Sequence, residues 1–538
     1  MPGRGRLHLK NAGRLFLGLW LFNVCALRAA DYPVWNAVDL TAALGRAQAG
    51  DRVLVHQGPY AGNWTVPAGV SLLGEPEFIP GAQQRVALNA ARVDTILRVA
   101  TRAGAPATQV RGFFLFGAQR SALVVFGDGP AYVCNNQFDN NTAQNGGAIY
   151  STASGALYIQ TNYISANTAV ANGGGVYLAG AANVYLRKNE FKGNHAGLDG
   201  GGLSAGGNLK IFSENDRFEE NGSDRDGGAA AIVSNLREST FHDAELWRNH
   251  AQRDGGGLVV DRASLLINSG DSEGSSARRN GGFVAARTAS LILLSHDCLS
   301  ATAVERGGGV YSDASILLAQ DNRVENGGAK YGAGMFIQNG VASFPQVLRN
   351  TFLRNRAVEG GGLYLAALSQ IRVENNVFFL NDASKGGGAL VAADATATLT
   401  HNTFAHIQYL SGLPAPTAEA IRLLGAANGS KVVNNIVAGH RNGVIGEANL
   451  RAFVAGNDFY STLAPWQGVP VNILFPNRQI GDPLFVRFDP RRAIGDFHLQ
   501  VNSPCRNLAL PQFTTNVDRD GRRRDSLPDR GAYEYLAP

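Results

Sequence analysis

The chain has 538 residues, a formal net charge of +5, a calculated isoelectric point near 9.0 and four cysteines. The first 30 residues hold five basic and no acidic residues, which leaves 43 of each sign in the rest of the chain. The near-neutral remainder gives no support for nucleic-acid binding. The spacing of Cys134, Cys298 and Cys505 fits no zinc motif, and we expect buried thiols there.

A secretory signal peptide is predicted at residues 1–30. Basic residues precede the apolar stretch 15–27, and Ala29 and Ala30 follow it. The stretch is too short to span a membrane, so we expect export and cleavage. The mature chain is then expected to carry no transmembrane segment and to be secreted or located at the cell surface.

Residues 31–110 are predicted to form an N-terminal cap and the first coils of the fold. The segment Asp39–Ala49 has a helical apolar pattern and ends before Gly50. Its shared apolar face consists of Leu40, Ala43, Leu44 and Ala47. An amphipathic helix at this place is expected to cover the open core and the unpaired edge of the first coil.

Residues 111–460 contain glycine clusters at a steady period. The clusters begin 25 to 28 residues apart, at Gly146, Gly173, Gly200, Gly227, Gly255, Gly281, Gly307, Gly332, Gly360 and Gly386. A constant period of this length predicts a solenoid with one coil per repeat. Glycine permits a positive φ at a corner or close contact between coils.

Several repeats carry phenylalanine followed three positions later by asparagine, as in Phe138–Asn141 and Phe191–Asn194. We predict that the phenylalanines stack inward and that the asparagines stack as a ladder bonded to corner backbone. The intervening runs have the length and residue types of strands, as at 184–186 and 289–294. The predicted fold is an all-β parallel β-helix solenoid with about three strands per coil and coils about 4.8 Å apart.

Two segments depart from the repeat. Leu410–Glu419 contains Pro414 and Pro416 and is predicted to be a loop leaving one corner. Residues 461–538 are irregular and rich in proline and arginine, and are predicted to form a C-terminal cap at the far end of the solenoid.

The repeats and the N-terminal segment together resemble the right-handed parallel β-helix of the pectin-lyase-like superfamily. Phe138–Ile149 resembles the repeats of chlamydial polymorphic outer membrane proteins most closely. Gly481–Phe485, Gly495–Leu499 and Asp529–Tyr535 resemble the bacterial choice-of-anchor Q domain. The resemblance implies an exported bacterial β-helix. Only 536–538 follow Tyr535, so we expect release or non-covalent surface attachment.

One column of residues fits the chemistry of enzymes that act on acidic polysaccharides. Lyases need a base and a cation, and hydrolases need paired carboxylates. Asp199, Asp226 and Asp254 precede the glycine clusters of successive repeats, and Arg225 and Arg253 adjoin two of them. Carboxylates stacked about 5 Å apart repel each other unless arginine, protonation or a cation neutralises them. The column is a candidate calcium or sugar site.

A structural explanation of the same column stays open, because asparagine and aspartate suit a corner before glycine through Asx turns. His195 and His250 each follow an asparagine of the predicted ladder. A catalytic role for either histidine is one interpretation. Tyrosines adjoin several glycine clusters, at Tyr150, Tyr177, Tyr311, Tyr331 and Tyr364. Facing outward, they could stack on sugar rings; facing inward, which is the preferred interpretation, they belong to the core.

Three functional hypotheses follow. The first is an adhesin-like β-helix that binds polysaccharide or cell-surface material without catalysis. The second is a polysaccharide lyase, epimerase or glycoside hydrolase acting on an acidic glycan at the aspartate column, although the Asp-Asp and Gly-His-Gly elements of polygalacturonases are absent from the sequence. The third is a purely structural surface component. No cofactor is predicted apart from a calcium ion at the column.

Overall fold

The computed structural model describes residues 29–56, 58–75, 86–90, 94–338, 345–367, 370–407, 419–447, 450–470 and 474–535. The predicted signal peptide, except for its last two residues, and the predicted loop Leu410–Glu419, except for Glu419, lie outside the described residues. The described chain winds into stacked coils whose equivalent strands pair in parallel. This confirms the predicted parallel β-helix.

Sheet 1 has 16 strands and follows the glycine corner of each coil. Its strands are Trp64–Val66, Leu97–Thr101, Leu123–Gly127, Ile149–Ser151, Val176–Gly180, Leu203–Gly207, Ala230–Asn235, Leu258–Asp261, Val284–Arg287, Val310–Asp313, Met335–Gln338, Leu363–Ala366, Leu390–Ala393, Glu419–Leu424, Asn442–Gly446 and Ala464–Gln467.

Sheet 2 has 32 strands in two rows, which are joined because Ser239–Trp247 and Ser264–Glu273 run through both. The other strands of the first row are Asp31–Val34, Arg52–His56, Ser71–Glu75, Thr108–Arg111, Ala131–Cys134, Leu157–Gln160, Asn183–Arg187, Lys210–Glu214, Ser290–Leu294, Ile316–Gln320, Gln346–Leu348, Ile371–Glu374, Ala397–Thr400, Lys431–Val433 and Phe453–Ala455. Those of the second row are Tyr60–Ala61, Val86–Asn89, Phe113–Phe116, Gln137–Asp139, Tyr163–Ser165, Glu190–Lys192, Arg217–Glu219, Asp297–Leu299, Arg323–Glu325, Thr351–Leu353, Val377–Phe379, Thr403–Ala405, Ile436–Ala438, Asp458–Tyr460 and Arg478–Gln479.

Sheet 3 has ten strands, which precede the glycine corner. They are Thr142–Ala143, Thr168–Ala169, His195–Ala196, Gly222–Ser223, His250–Ala251, Ser276–Ala277, Thr302–Ala303, Gly328–Tyr331, Arg356–Glu359 and Asp382–Gly386. The remaining elements are the helix Ala37–Arg46, the antiparallel pair Phe485–Asp489 and Ile494–Leu499, and the 3-10 helix Pro511–Phe513.

Most central coils contain four short strands, one more than predicted. The extra strand arises because the side formed by sheet 2 bends at a residue with positive φ. In one coil that residue is Lys188, with φ of 52°, between Asn183–Arg187 and Glu190–Lys192. The sequence showed the residue types of a strand but not this bend, because lysine has no preference for positive φ.

The core of the solenoid is built from stacked phenylalanines, as predicted. Phe191 and Phe218 are fully buried, with ring centroids 4.4 Å apart and planes 6° from parallel. Phe352 and Phe378 repeat the arrangement at 4.7 Å. Burial of one such side chain stabilises the fold by about 1.5–3 kcal/mol.

Buried asparagines form two ladders, each along its own corner of the solenoid, whereas one ladder was predicted. In the Phe-x-x-Asn ladder, Asn194 donates from its backbone N–H and from Nδ2 to Oδ1 of Asn221, at 3.0 and 2.9 Å. Nδ2 also donates to the Ile164 carbonyl at 2.8 Å. The second ladder runs through Asn162 and Asn189 and ends in this part of the chain at Asp216. Each ladder satisfies backbone groups that the corners leave unpaired.

The glycines are required by the backbone of the corner. Gly200 has a φ of +72°, which side chains rarely adopt. A Cβ on Gly201 would lie 2.4 Å from the carbonyl oxygens of Gly222 and Gly228 in the next coil. Coils stack at this corner with no room for a side chain, which explains the steady glycine period.

The N-terminal helix Ala37–Arg46 begins two residues earlier than predicted, because Asn36 caps it: Oδ1 of Asn36 accepts from the backbone N–H of Asp39 at 2.9 Å. Leu40 and Leu44 on its predicted face are buried against the first coil. Among the described residues, no helix combines the length and the apolar character needed to cross a membrane.

The C-terminal segment, residues 485–535, lies along the side of the solenoid against sheet 2, whereas the sequence placed it at the far end. The rings of Phe379 and Phe497 are 5.1 Å apart, and Ala532 N–H donates to Oγ1 of Thr403 at 3.0 Å. The apolar side chains on this outer face that the segment covers are Leu353, Val377, Phe379, Ala405, Ile436 and Ala438. Their exposure would be unfavourable, which explains the lateral docking. The boundaries of the predicted caps and repeats stay predictions.

Candidate functional site

The predicted aspartate column forms at the glycine corner of three successive coils. Gly200 N–H donates to the carbonyl of Asp226 at 2.9 Å, and Gly227 N–H donates to that of Asp254 at 3.0 Å, which sets the coils in register. Asp199, Asp226 and Asp254 are 6%, 1% and 0% exposed. The structure therefore brings the three predicted residues together, but beneath the surface.

Each aspartate is held by an arginine of the following coil. Arg225 donates from Nε to Oδ1 of Asp199 at 2.7 Å and from Nη2 to Oδ2. Arg253 donates in the same way to Asp226, with Nε 2.8 Å from Oδ1. Bidentate pairs of this kind are strong and directional. The two predicted arginines therefore neutralise the column.

Arg279 holds Asp254 in the same manner, with Nε 2.9 Å from Oδ1. Arg279 was not among the predicted site residues. An arginine immediately before the corner residue recurs in three successive repeats, at Arg225, Arg253 and Arg279. That recurrence is a signal from which the third pair could have been predicted.

Arg287 joins the column from sheet 1. Nη1 donates to Oδ2 of Asp254 at 2.6 Å, and Nη2 donates to Oδ2 of Asp226 at 2.7 Å and to Oδ2 of Asp261 at 3.2 Å. The first two partners lie 33 and 61 residues away in the chain. No local pattern reveals these contacts, because they depend on the register that pairs Asp261 with Arg287 in sheet 1.

The carboxylate of Asp226 is saturated. Oδ1 accepts from Arg253 and from the backbone N–H of Asp254 at 3.1 Å, and Oδ2 accepts from Arg253 and Arg287. Burial by itself raises the pKa of this carboxyl, but Arg253 and Arg287 outweigh burial and lower the pKa below its usual value. A carboxylate has about four acceptor positions, and all four are occupied in Asp226. No position is left to take a proton from a substrate or to bind calcium.

Metal ligands are not grouped elsewhere in the described part of the chain either, since no three His, Cys, Asp or Glu side chains lie close enough to share an ion. In the column, guanidinium donors fill the positions that a calcium ion would need. The arrangement therefore favours the structural explanation of the column over a cation site.

An open cleft of about 510 Å³ lies on the outer face of sheet 1, in coils that precede the aspartates. Its charged and amide groups come from Arg98, Arg120, Gln144 and Asn145, and Tyr150 supplies an aromatic ring. Asn145 is the first residue of the same corner column. The column is therefore accessible at its N-terminal end and sealed by ion pairs further along.

Within the part of the chain that the structure describes, the two arginines of this cleft have no hydrogen-bonded carboxylate. Nη2 of Arg98 and Nε of Arg120 each lie 3.9 Å from Oδ1 of Asp94, which is beyond hydrogen-bond distance. Their side chains are 48% and 72% exposed. These guanidinium groups can therefore turn toward an anionic ligand, unlike those of the aspartate column.

The tyrosines Tyr150 and Tyr177 lie on the outer face of sheet 1, which corrects the interpretation of them as core residues. Ile149 and Val176 point into the core, and successive side chains of a strand point to opposite faces. The two tyrosine rings stack with centroids 5.6 Å apart. Tyr150 is partly exposed in the cleft.

Tyr311, Tyr331 and Tyr364 form a second aromatic cluster outside the core, together with Phe336. The rings of Phe336 and Tyr364 stack at 5.1 Å, and Tyr331 meets Tyr364 edge to face at 5.5 Å. Tyr311 and Phe336 are covered by their neighbours, with 4% and 3% exposure. Tyr331 and Tyr364 remain partly exposed.

His195 and His250 lie on sheet 3, separated by the coil that contains Gly222. Nε2 of His195 is 3.3 Å from Oδ2 of Asp224. The ring of His250 covers Gly222, where a Cβ would lie 2.4 Å from it. Neither histidine hydrogen-bonds to the described carboxylates of the aspartate column, so the structure does not join them to it.

The three described cysteines are free thiols. Cys298 and Cys505 are buried as expected, whereas Cys134 is partly exposed. Burial raises the pKa of Cys134 to about 11 and that of Cys298 to about 12. The thiols therefore stay protonated near neutral pH and supply no nucleophile.

Comparison with solved structures finds similar folds at low similarity. A mannuronic-acid-specific polysaccharide family 6 lyase from human gut microbiota is 10% identical, covering 84% of this chain and 91% of its own, with a TM-score of 0.29. A DFA-IIIase from Arthrobacter chlorophenolicus A6 is 13% identical over 74% and 96%, with a TM-score of 0.27. A pectate lyase is 12% identical over 94% and 96%, with a TM-score of 0.20. These likenesses carry no functional argument.

No curated protein matches the chain. The family described as the right handed beta helix region matches residues 109–272 and 273–404, which is more than half of the sequence. The match agrees with the parallel coils of the three sheets. This chain belongs to the right-handed β-helix family.

Proposed function

We propose that this protein binds an acidic polysaccharide on the outer face of sheet 1 and does not cleave it. The observation that carries the proposal is the cleft in which Arg98 and Arg120, with no hydrogen-bonded carboxylate among the described residues, share the lining with the outward ring of Tyr150. Its volume of about 510 Å³ is within the range of small-ligand sites.

The lining matches the chemistry of an acidic sugar. Planar guanidinium groups bind carboxylate or sulfate through two parallel hydrogen bonds. The side chains of Gln144 and Asn145 offer donors and acceptors for hydroxyl groups, and the ring of Tyr150 offers an apolar surface for a sugar face. Because both arginines are exposed, binding is expected to weaken as ionic strength rises.

The aspartate column supports binding without catalysis. A lyase or hydrolase at that position would use Asp199, Asp226 or Asp254 as a base or an acid, and each of them is buried in a bidentate ion pair. The column instead holds three coils in register next to the cleft. An adhesin-like role is therefore favoured over the polysaccharide lyase, epimerase and hydrolase alternatives.

We further propose that the protein is exported and acts outside the cell, secreted or at its surface. The predicted signal peptide, the resemblance of Phe138–Ile149 to polymorphic outer membrane protein repeats and the resemblance of Asp529–Tyr535 to choice-of-anchor Q domains support this setting. A cell-surface or extracellular glycan is then the expected partner.

The test is calorimetric titration of the purified protein with tetragalacturonate and with tetramannuronate. The variant Arg98→Ala/Arg120→Ala is expected to weaken binding at least about tenfold, since two charge-assisted contacts are lost. Arg187→Ala is the matched control, because it removes an exposed arginine from sheet 2 outside the cleft. Equal affinities of wild type and double variant would contradict the proposed site.

The same mixtures distinguish binding from catalysis. We expect no unsaturated product by ultraviolet absorbance and no new reducing ends. Product that disappears in Asp226→Asn would favour the lyase or hydrolase hypothesis at the column. Absence of both binding and product across acidic and neutral glycans would favour a purely structural role.

A further inference from the structure

A second cleft, of about 460 Å³, lies on a different side of the molecule. One wall is the outer face of sheet 2, where Arg372, Thr398 and Lys431 are located, and the other wall is the segment 512–517. We call it the side cleft. It exists because the C-terminal segment docks along the solenoid.

The floor of the side cleft is a row of three side chains on successive coils. Sheet register pairs Arg372 with Thr398 and Thr398 with Lys431, so the two cations flank the threonine hydroxyl. At about 4.8 Å per coil, the backbones of Arg372 and Lys431 are about 10 Å apart. Such a row can contact one or two sugar rings along the solenoid axis.

The opposite wall carries an aromatic ring. Phe513 ends the 3-10 helix Pro511–Phe513, and its ring centroid lies 5.2 Å from that of Phe453. Nζ of Lys431 lies over the ring of Phe513, 5.8 Å from its centroid, so this cation connects the two walls of the cleft. The lining therefore offers a cation for a carboxylate and apolar ring surface next to it.

The charge of the side cleft is positive. Glu374, the one carboxylate among the described lining residues, is bound by Arg372 through Nε at 2.9 Å and Nη2 at 2.6 Å. Arg349 is bound by Asp321 at 2.8 and 2.7 Å. Lys431 makes no ion pair with any carboxylate of the described chain, and its ammonium lies over the ring of Phe513.

Buried polar contacts hold the two walls in place. Asn375 donates from Nδ2 to the Val517 carbonyl at 2.9 Å, and its Oδ1 accepts from Nη2 of Arg524 at 2.9 Å. Arg524 is in turn paired with Glu534 at 2.8 Å, and both side chains are 1% exposed. A cleft fixed in this way loses little entropy when a ligand enters.

We propose that the side cleft is a second binding site for an acidic oligosaccharide, separate from the site on sheet 1 and independent of it. Lys431 pairs with a uronate carboxylate, Phe513 packs against a sugar face, and Thr398 and Asn516 bond hydroxyl groups. Because the ligand contacts both walls, its binding stabilises the docked C-terminal segment.

The test uses the full chain and tetragalacturonate, with maltotetraose as a neutral probe of the same length. Binding stoichiometry and affinity are measured by calorimetry for wild type, for Lys431→Ala and for Thr398→Val. Lys210→Ala is the matched control, because Lys210 also lies over a phenylalanine, Phe212, on the outer face of sheet 2 and is not part of the side-cleft lining. Thermal denaturation checks that each variant folds.

We expect two sites in wild type, and Lys431→Ala weakens one of them at least about tenfold, as loss of a charge-assisted contact does. Lys210→Ala leaves both sites within about twofold of wild type, since exposed charges outside a site contribute little. Arg98→Ala/Arg120→Ala removes the other site and keeps this one, so failure of either proposal is recognised separately. Two sites of wild-type affinity in Lys431→Ala, a single wild-type site that Lys431→Ala leaves unchanged, or equal binding of maltotetraose overturns this proposal.

Limited proteolysis gives a second readout. Tetragalacturonate is expected to slow cleavage within residues 510–535 of wild type and not of Lys431→Ala, because the ligand joins that segment to sheet 2. Slowed cleavage in both proteins, or in neither, would contradict binding in the side cleft.

Discussion

Arg253 binds Asp226, one coil before it, and not Asp254, its neighbour in the chain. Nε of Arg253 is 2.8 Å from Oδ1 of Asp226 but 3.9 Å from Oδ2 of Asp254. Arg225 and Arg279 reach back by one coil in the same way. Carboxylates and guanidinium groups therefore interleave along the corner, which offsets the repulsion of stacked aspartates and ties adjacent coils together.

Arg287 is expected to contribute strongly to the stability of the central coils. Its guanidinium contacts Asp226, Asp254 and Asp261. In Arg287→Ala, the buried carboxylates lose a partner, so we expect the free energy of unfolding to fall by about 3 kcal/mol. Urea denaturation followed by circular dichroism measures this change.

The matched control for that experiment is Arg262→Ala, whose side chain is 64% exposed and 3.8 Å from Asp261. Loss of such a surface pair changes stability by less than about 1 kcal/mol. Similar midpoints for the two variants would show that the column does not depend on Arg287.

Asp226→Ala is expected to destabilise the fold by about 3 kcal/mol, because Arg253 and the N–H of Asp254 lose an acceptor.

Since guanidinium groups fill the acceptor positions of the aspartate column, millimolar calcium is expected to leave the melting temperature of wild type unchanged. Differential scanning calorimetry with calcium and with a chelator measures both effects. Stabilisation of wild type by calcium that is absent in Asp226→Ala would identify a calcium site instead.

Asp216 is expected to make stability depend on pH. Burial raises its pKa to about 6 from an ordinary value of 3.8, so its contribution to stability is complete below pH 3.8 and is lost as pH rises through about 6. In Asp216→Asn, an uncharged amide replaces the carboxyl group at the same position of the asparagine ladder. Stability at pH 8 should rise by up to about 3 kcal/mol.

Thermal unfolding of wild type and Asp216→Asn between pH 4 and pH 8 measures this difference. The two curves are expected to approach each other near pH 4, to separate between about pH 4 and pH 6, and to run parallel above about pH 6, in accordance with the raised pKa. Curves that stay parallel from pH 4 to pH 8 would show that burial does not raise the pKa of Asp216.

Asn194 is expected to be among the residues that the coils tolerate least when truncated. Its side chain accepts from Asn167 and donates to Asn221 and to the Ile164 carbonyl. Asn194→Ala leaves buried groups unpaired, so we expect a loss of about 2–4 kcal/mol. Asn208→Ala, at an exposed position, is the control and should lie within about 0.5 kcal/mol of wild type.

The sequence by itself determined the coil. Glycine must occur where the backbone has a positive φ and where the next coil leaves no space, as at Gly200 and Gly201. Phenylalanine and asparagine must occupy the inward positions beside that corner, as Phe191 and Asn194 do. Because these requirements are local and repeat with every coil, they appear as a period in the chain.

The tertiary structure decided which side chains meet between coils and which remain accessible. Asp226 was predicted as a site residue from its column, but its contact with Arg287 spans 61 residues and depends on sheet register. The openness of the cleft at Arg98 and the side cleft at Lys431 depend on what packs nearby. Such contacts join distant segments through packing and charge, and no repeat in the sequence encodes them.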